Sequence, residues 1–348
     1  RERFKKKLKI FTVMLTLECP RVQKYNGLSV QYLEGQANMP AVVIAKGLGI
    51  PGKELGWMFL LNKVGFNVTY APYRGTWLSE GDFLPDEKDE LSVTKDITDL
   101  VDSATRIFGP SEVHIVGDCF GGSPALVAAA KREEVSKIAT YGGMIYTADA
   151  ELNTKYWIND DKSLKLGVVL DRAMRERTGE FFDGYDGFNL PVWVQMVNGR
   201  TGLNPHNFLQ QLASKQILAM HPRNDHLIGY ERTVDFVNAL ERYCSDSGLA
   251  SLVSLRIIEN GTHGTGLGPK QKEEIIRFLA GDNAVEITPR LAEAAALEEA
   301  HQGSAIRTDG RVFAVPFYEL VAKQIGEFKK SGLLKDKPLD QILSEIFR

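Results

Sequence analysis

Val113-His114-Ile115-Val116-Gly117-Asp118-Cys119-Phe120-Gly121-Gly122-Ser123-Pro124-Ala125-Leu126 joins a β-branched run to an Ala-rich run through a turn carrying three glycines. The first part reads as a buried strand and the last as the opening of a helix. A residue at the apex of so sharp a strand-to-helix turn is held in a strained backbone conformation. Its neighbours two positions away on either side must therefore lack bulk. A free cysteine is most often a small buried hydrophobe, but at this apex Cys119 reads as an exposed, reactive thiol.

Outward from this turn, short apolar runs alternate with helical stretches from about residue 28 to 280, the pattern of a mainly parallel sheet covered on both faces. The expected strands are Leu28–Leu33, Ala41–Ala45, Asn67–Ala71, Val113–Val116, Lys137–Tyr141, Gln216–Met220 and Leu252–Ile258, the first two pairing as an antiparallel hairpin. Residues 28–143 and 215–281 make the core, preceded by an N-terminal segment, 1–27, with a strand expected at Phe11–Leu17. The stretch 144–214 exceeds any ordinary crossover of about a dozen residues and reads as a lid. Its aromatics, among them Tyr146, Tyr156, Trp157, Phe181 and Trp193, either line an apolar pocket or form the lid's own core.

Residues 282–348 read as a helical extension: an Ala/Glu/Leu-rich helix at Leu291–His301, a Gly-containing break, and two helices opened by Pro316 and Pro338. The stripe Phe317, Leu320, Val321 and Phe328 calls for burial, against the main domain or in a homo-oligomer.

The chain has 348 residues, 43% of them hydrophobic, and a formal net charge of −3. That balance suits a globular protein and offers no basic surface for nucleic acid. No apolar run approaches the roughly 20 residues of a membrane span. Cys19, Cys119 and Cys244 are widely separated, with neither a Cys-x-x-Cys pair nor metal-ligand spacing. Neither a disulfide framework, a metal nor another cofactor is expected, and a reducing, cytoplasmic location is the simplest reading.

Gly-x-Cys-x-Gly-Gly between strand and helix resembles the nucleophile turn of the α/β-hydrolase superfamily, in which dienelactone hydrolases and polyhydroxyalkanoate synthases use cysteine in this pattern. The resemblance covers about residues 28 to 280 and implies the α/β-hydrolase fold, with an acid after a late strand and a histidine after the last one. Asp225, in His221-Pro222-Arg223-Asn224-Asp225-His226, and His263, in Gly261-Thr262-His263-Gly264, stand in that order. On loop chemistry alone Asp225 equally suits a turn-capping role, and His263 a surface loop. The resemblance places the oxyanion donors at the backbone N–H of Phe120 and, in Lys46-Gly47-Leu48-Gly49, of Leu48. Tyr73-Arg74-Gly75 through Ser79-Glu80-Gly81 resembles a structural loop of many hydrolases, although Arg74 also has the planar fork to meet a substrate carboxylate. His226 reads as a neighbour of the acid or a surface residue, His114 as a buried strand residue, and His206, His221 and His301 lie in no motif.

A thiol paired with an imidazole forms a thiolate more readily than a free one, whose pKa is about 8.5. The implied chemistry is acyl transfer: attack on an ester, lactone or thioester of a small-molecule or carrier-bound acyl substrate, through an acyl-cysteine. Water as acceptor makes the protein a hydrolase. Another acceptor makes it an acyltransferase, cyclase or polymer synthase, and a non-catalytic binding protein is the third reading.

Overall fold

β-branched and small apolar residues build eight strands that form one sheet: β1 (Arg21–Tyr25), β2 (Leu28–Leu33), β3 (Ala41–Ala45), β4 (Asn67–Tyr70), β5 (Val113–Asp118), β6 (Val135–Tyr141), β7 (Gln216–Pro222) and β8 (Val253–Ile258). The computed structural model describes residues 20–47, 53–76, 79–83, 92–109, 112–147, 149, 152, 202–225, 227–263, 268–284, 287–291, 305–308 and 311–314. The strand order is β1-β2-β4-β3-β5-β6-β7-β8. From β4 through β8 every neighbour is parallel, while β2 runs antiparallel to both β1 and β4.

Alternation along each strand divides the core in two, as a pleat with both faces covered requires. Ala41, Val43 and Ala45 of β3 and Ile217 and Ala219 of β7 join the cluster under one set of helices. Val42, Ile44, Leu218 and Met220 join the cluster on the other face. Helices α2 (Ser92–Phe108), α3 (Gly122–Lys131) and α4 (Glu231–Asp246) cover the first face; α1 (Lys53–Val64) and α5 (Pro269–Ala280) cover the second. In α2 the buried set Val93, Ile97, Leu100, Val101 and Ala104 has helical spacing. No helix among the described residues is long and apolar enough to cross a membrane.

The structure corrects the expected first hairpin. β2 and β3 are not paired; β2 turns back on β1 and lies against β4. The two residues between β1 and β2, Asn26 and Gly27, have φ of 47° and 84°, the left-handed backbone that tight hairpin turns demand. β1 is only partly buried, so its sequence carries no apolar run. The expected strand Phe11–Leu17 lies outside the described residues. So does most of the expected lid, except 144–147, 149, 152 and 202–214, of which Leu203, Leu212 and Ala213 belong to the core. In the extension, the expected Gly-containing break holds a two-stranded hairpin, β9 (Ala305–Thr308) with β10 (Arg311–Ala314). The helices expected after Pro316 and Pro338 lie outside the described residues.

Arg74 is committed to the fold. Its guanidinium meets the carboxylates of Asp96 and Asp99 on α2 and donates from Nη2 to Asn26 O at 2.6 Å, while its backbone N–H donates to Asp96 Oδ2 at 2.7 Å. This fork ties the loop after β4 to α2 and the first hairpin. It leaves no role for Arg74 in holding a substrate carboxylate. Burial pushes the Asp96 carboxyl up to about 7 even against the pull of Arg74. Arg74→Met would strand two buried carboxylates and should lower stability by about 3–5 kcal/mol in urea denaturation. Because stranded carboxyls favour their neutral form in the folded state, the deficit should shrink as pH falls and grow as it rises.

Candidate active site

Cys119 follows the last residue of β5 and opens a single 3-10 turn, Cys119–Gly121, that runs directly into α3. Its φ is 50°, a left-handed conformation that costs a side-chain-bearing residue on the order of 1–2 kcal/mol. The turn is held by the Cys119 carbonyl, which accepts from Met144 N at 2.6 Å and from Gly122 N. The flanking glycines answer to contact distance. A methyl group on Gly121 would stand 2.1 Å from Ala45 O, and one on Gly117 would stand 2.8 Å from Gly121 O and 2.9 Å from the Ala125 methyl. Helix and strands meet here with no room for a side chain.

The acid and histidine loops are laced to each other. After β7, Arg223 N donates to Ile258 O at 2.9 Å and Asn224 N to Gly261 O at 3.1 Å; the Arg223 guanidinium pairs with Glu259. Asp225 and His263 thereby meet, with His263 Nδ1 2.7 Å from Asp225 Oδ2. The other carboxylate oxygen, Oδ1, accepts from the N–H groups of Leu227 and Ile228 at 2.9 and 2.8 Å. Gly142 lies against the pair, its missing methyl 3.6 Å from Asp225 Oδ2 and 3.9 Å from His263 Nδ1.

The electrostatics follow from these contacts. Burial works against the charged form of Asp225, but hydrogen bonds from His221, His263 and the Ile228 amide outweigh it and hold the carboxyl well below the usual carboxylate range. Burial also works against an imidazolium at His263. Hydrogen bonds and charge interactions with Asp225 and Cys119 overcome it and push His263 up to about 10.

Asp225 and His263 are thus brought together, and His263 interacts electrostatically with Cys119. Phe120 is buried beside Cys119, its ring edge-on to Tyr73 with centroids 5.7 Å apart. Leu48 lies outside the described residues. Gly47 before it is at the turn, since a methyl there would stand 3.0 Å from Cys119 Cβ. Cys244 is buried in α4, and Cys19 and His226 lie outside the described residues. Asp149 caps Leu152 N and Asp235 pairs with His206. His114 is buried in β5 with Nδ1 3.0 Å from Ser136 Oγ. His221 is the residue that the motif reading passes over. It is fully buried at the end of β7, with Nε2 3.4 Å from Asp225 Oδ2. No named motif contains it, but an imidazole four residues before an acid at a strand end was the available signal.

Because His263 is raised from 6.5 to about 10, its contribution to stability is full below the lower value and lost as pH rises through the upper. The melting-temperature gap between the parent and His263→Gln should therefore be widest below about pH 6.5 and narrow toward about pH 10. A scanning-calorimetry series across that range measures it.

No family model matches this chain, and no curated protein matches its sequence. Solved structures do match. An acylaminoacyl peptidase of Pyrococcus horikoshii is similar with a TM-score of 0.54 and 18% identity, over 78% of this chain and 43% of that one. The alpha/beta hydrolase GrgF from Penicillium gives 0.52 and 18%, over 74% and 96%. An esterase of Pyrococcus furiosus gives 0.52 and 14%, over 77% and 92%. The chain spans less than half the length of the peptidase it matches. Together with the strand order, these likenesses show that the chain has the α/β-hydrolase fold.

Proposed function

We propose that this protein is an acyl hydrolase acting on an ester, lactone or thioester through an acyl-cysteine at Cys119. The observation that carries the reading is His263, which is paired through Nδ1 with a buried, fully hydrogen-bonded Asp225 and interacts electrostatically with a thiol at a strained strand-to-helix apex. A cysteine kept only for packing needs neither the left-handed backbone nor the imidazole. The fold is shared with an esterase and a peptidase, which agrees with acyl chemistry but leaves the reaction to the site.

Cys119 Sγ attacks the carbonyl carbon as the thiolate, its proton already resting on His263 Nε2. The carbonyl π electrons move onto oxygen, where the N–H groups of Phe120 and Leu48 receive the charge. Collapse of the tetrahedral centre breaks the bond to the leaving group, which takes the proton from His263. Water then attacks the resulting thioester with His263 as base, releasing a carboxylic acid and the thiol. Asp225 holds the imidazole with Nδ1 protonated throughout and stabilises its charged form. Residues 144–214 are assigned as a lid over the Cys119 turn, a role supported by a length beyond that of an ordinary crossover.

Intact-mass measurement after incubation with a panel of acyl esters and thioesters should show one acyl adduct, mapping to Cys119 and absent from Cys119→Ala. An adduct that persists in that variant would overturn the reading. Adduct cleared only when an amine, alcohol or thiol acceptor is added would make the protein an acyltransferase on the same intermediate.

A further inference from the structure

His221 stands inside the protein at the end of β7, and nothing in the acyl chemistry assigned to Cys119, His263 and Asp225 requires it. Its side chain and that of Asp225 are both fully buried. Nε2 lies 2.9 Å from Ile228 O and 3.4 Å from Asp225 Oδ2, and Nδ1 lies 2.7 Å from Thr233 Oγ1 on α4. Both partners of Nε2 can only accept, so Nε2 carries the hydrogen; the Thr233 hydroxyl can either donate to Nδ1 or accept from it. Ile228 closes the ring of contacts. Its N–H donates to Asp225 Oδ1 while its carbonyl accepts from His221.

An ionised carboxylate has about four lone-pair sites. Those of Asp225 accept from Leu227 N, Ile228 N and His263 Nδ1, while His221 Nε2, whose closer partner is Ile228 O, stands 3.4 Å from Oδ2. Two of these donors belong to the acid's own loop, and these set its height. Rotation of the carboxylate about its Cβ–Cγ bond is set by what shares Oδ2. Of the two imidazoles, His221 stands on the sheet rather than on a loop, and it is held from behind by Thr233 of α4. We propose that His221 is a positioning residue, which pins Asp225 Oδ2 in the orientation that receives His263 Nδ1 and keeps the acid loop folded around the carboxylate. This rests on the reading of Cys119, His263 and Asp225 as one reactive unit. The charged and titratable groups facing this unit from other elements are Arg232 of α4, which interacts with Asp225 and the Tyr146 hydroxyl, and Tyr141 of β6, which interacts with Asp225 and Asp118.

The test needs no substrate. The rate of Cys119 carboxamidomethylation by iodoacetamide, followed by peptide mass, gives a pH profile whose midpoint depends on how well His263 supports the sulfur. Asp225→Asn sets the reference: loss of the anion should raise the midpoint by about one unit or more. His221→Asn keeps an amide where Nδ1 meets Thr233 but leaves the Nε2 position empty, whereas His221→Gln restores a donor there. The proposal expects His221→Asn to raise the midpoint by about half a unit, roughly threefold slower alkylation at the foot of the profile. It expects His221→Gln to return the midpoint toward the parent, and His221→Asn with Asp225→Asn to add nothing to Asp225→Asn alone. A group that only fills space would lower the melting temperature of both His221 variants without moving the midpoint, and that result overturns the proposal. Additive shifts also overturn it. If Asp225→Asn itself leaves the profile unmoved, the reading of the triad fails, and this proposal with it. Should His221→Asn not fold, the parent protein decides: ¹⁵N spectra of labelled histidines must show His221 Nε2 protonated across the neutral range, and an unprotonated Nε2 there rules the proposal out.

Discussion

The rest of the site depends on one close approach, that of Gly121 to the end of β3. A methyl group at that position would stand 2.1 Å from Ala45 O and 2.8 Å from Lys46 O, inside any allowed contact. Because Gly121 fits, the 3-10 turn can pass directly over the carboxyl end of the sheet, and only three residues separate α3 from β5. Cys119 is then left at the apex with its left-handed φ. The strain is small beside the packing around it: Gly117 seats against Ala125, Phe120 against Tyr73 and Phe83. A flexible loop would not keep a thiol at a fixed height and angle. A turn sandwiched between two strands and a helix does.

The second constraint is electrostatic. Asp225 has no exposed surface, and an unpaired carboxylate so placed would be neutral. Here the backbone N–H groups of the acid loop and the two imidazoles outweigh the desolvation, and the carboxyl is held ionised. The same interaction reappears on the other partner as the raised affinity of His263 for a proton. Since Arg223 and Asn224 bond to the end of β8 and the loop beyond it, the acid and the histidine are carried by one braced assembly rather than by two independent loops. Arg74 performs a comparable bracing task in the loop after β4, with its guanidinium pairing with two carboxylates of α2 and gripping the first hairpin. At Asp225 the buried charge is tolerated because several donors converge on it, whereas at Asp96 burial outweighs the pull of Arg74.

The central strands were legible because they are buried on both faces and so read as continuous apolar runs. Ala41–Ala45 and Leu28–Leu33 have the expected bounds. β1 was not legible. Its residues Arg21, Val22, Gln23, Lys24 and Tyr25 lie at a sheet edge with partial exposure, and their composition follows the solvent rather than the ladder. The antiparallel partners of β2 are not the strand its sequence suggests: two apolar runs close in sequence favour a hairpin, but β3 is drawn to the middle of the sheet, between β4 and β5. The short hairpin of β9 and β10 falls where a glycine and polar residues read only as a break.

The sequence by itself determined that this chain builds a doubly covered, mainly parallel sheet, that Cys119 occupies a glycine-flanked strand-to-helix apex, and that an acid and a histidine follow the late strands in order. These are local properties: periodicity follows burial of the faces of a strand or helix, and glycine is required where backbones nearly touch. Tertiary structure alone decided which strand pairs with which, that Arg74 serves the fold, and that His221 lies against Asp225. Those contacts join residues from separate elements through side-chain hydrogen bonds and charge, and their partners are set by how strands are ordered in the sheet. Two residues four apart, His221 and Asp225, become neighbours only because the chain leaves β7 and folds its loop back over the strand end, a turn that no periodicity announces.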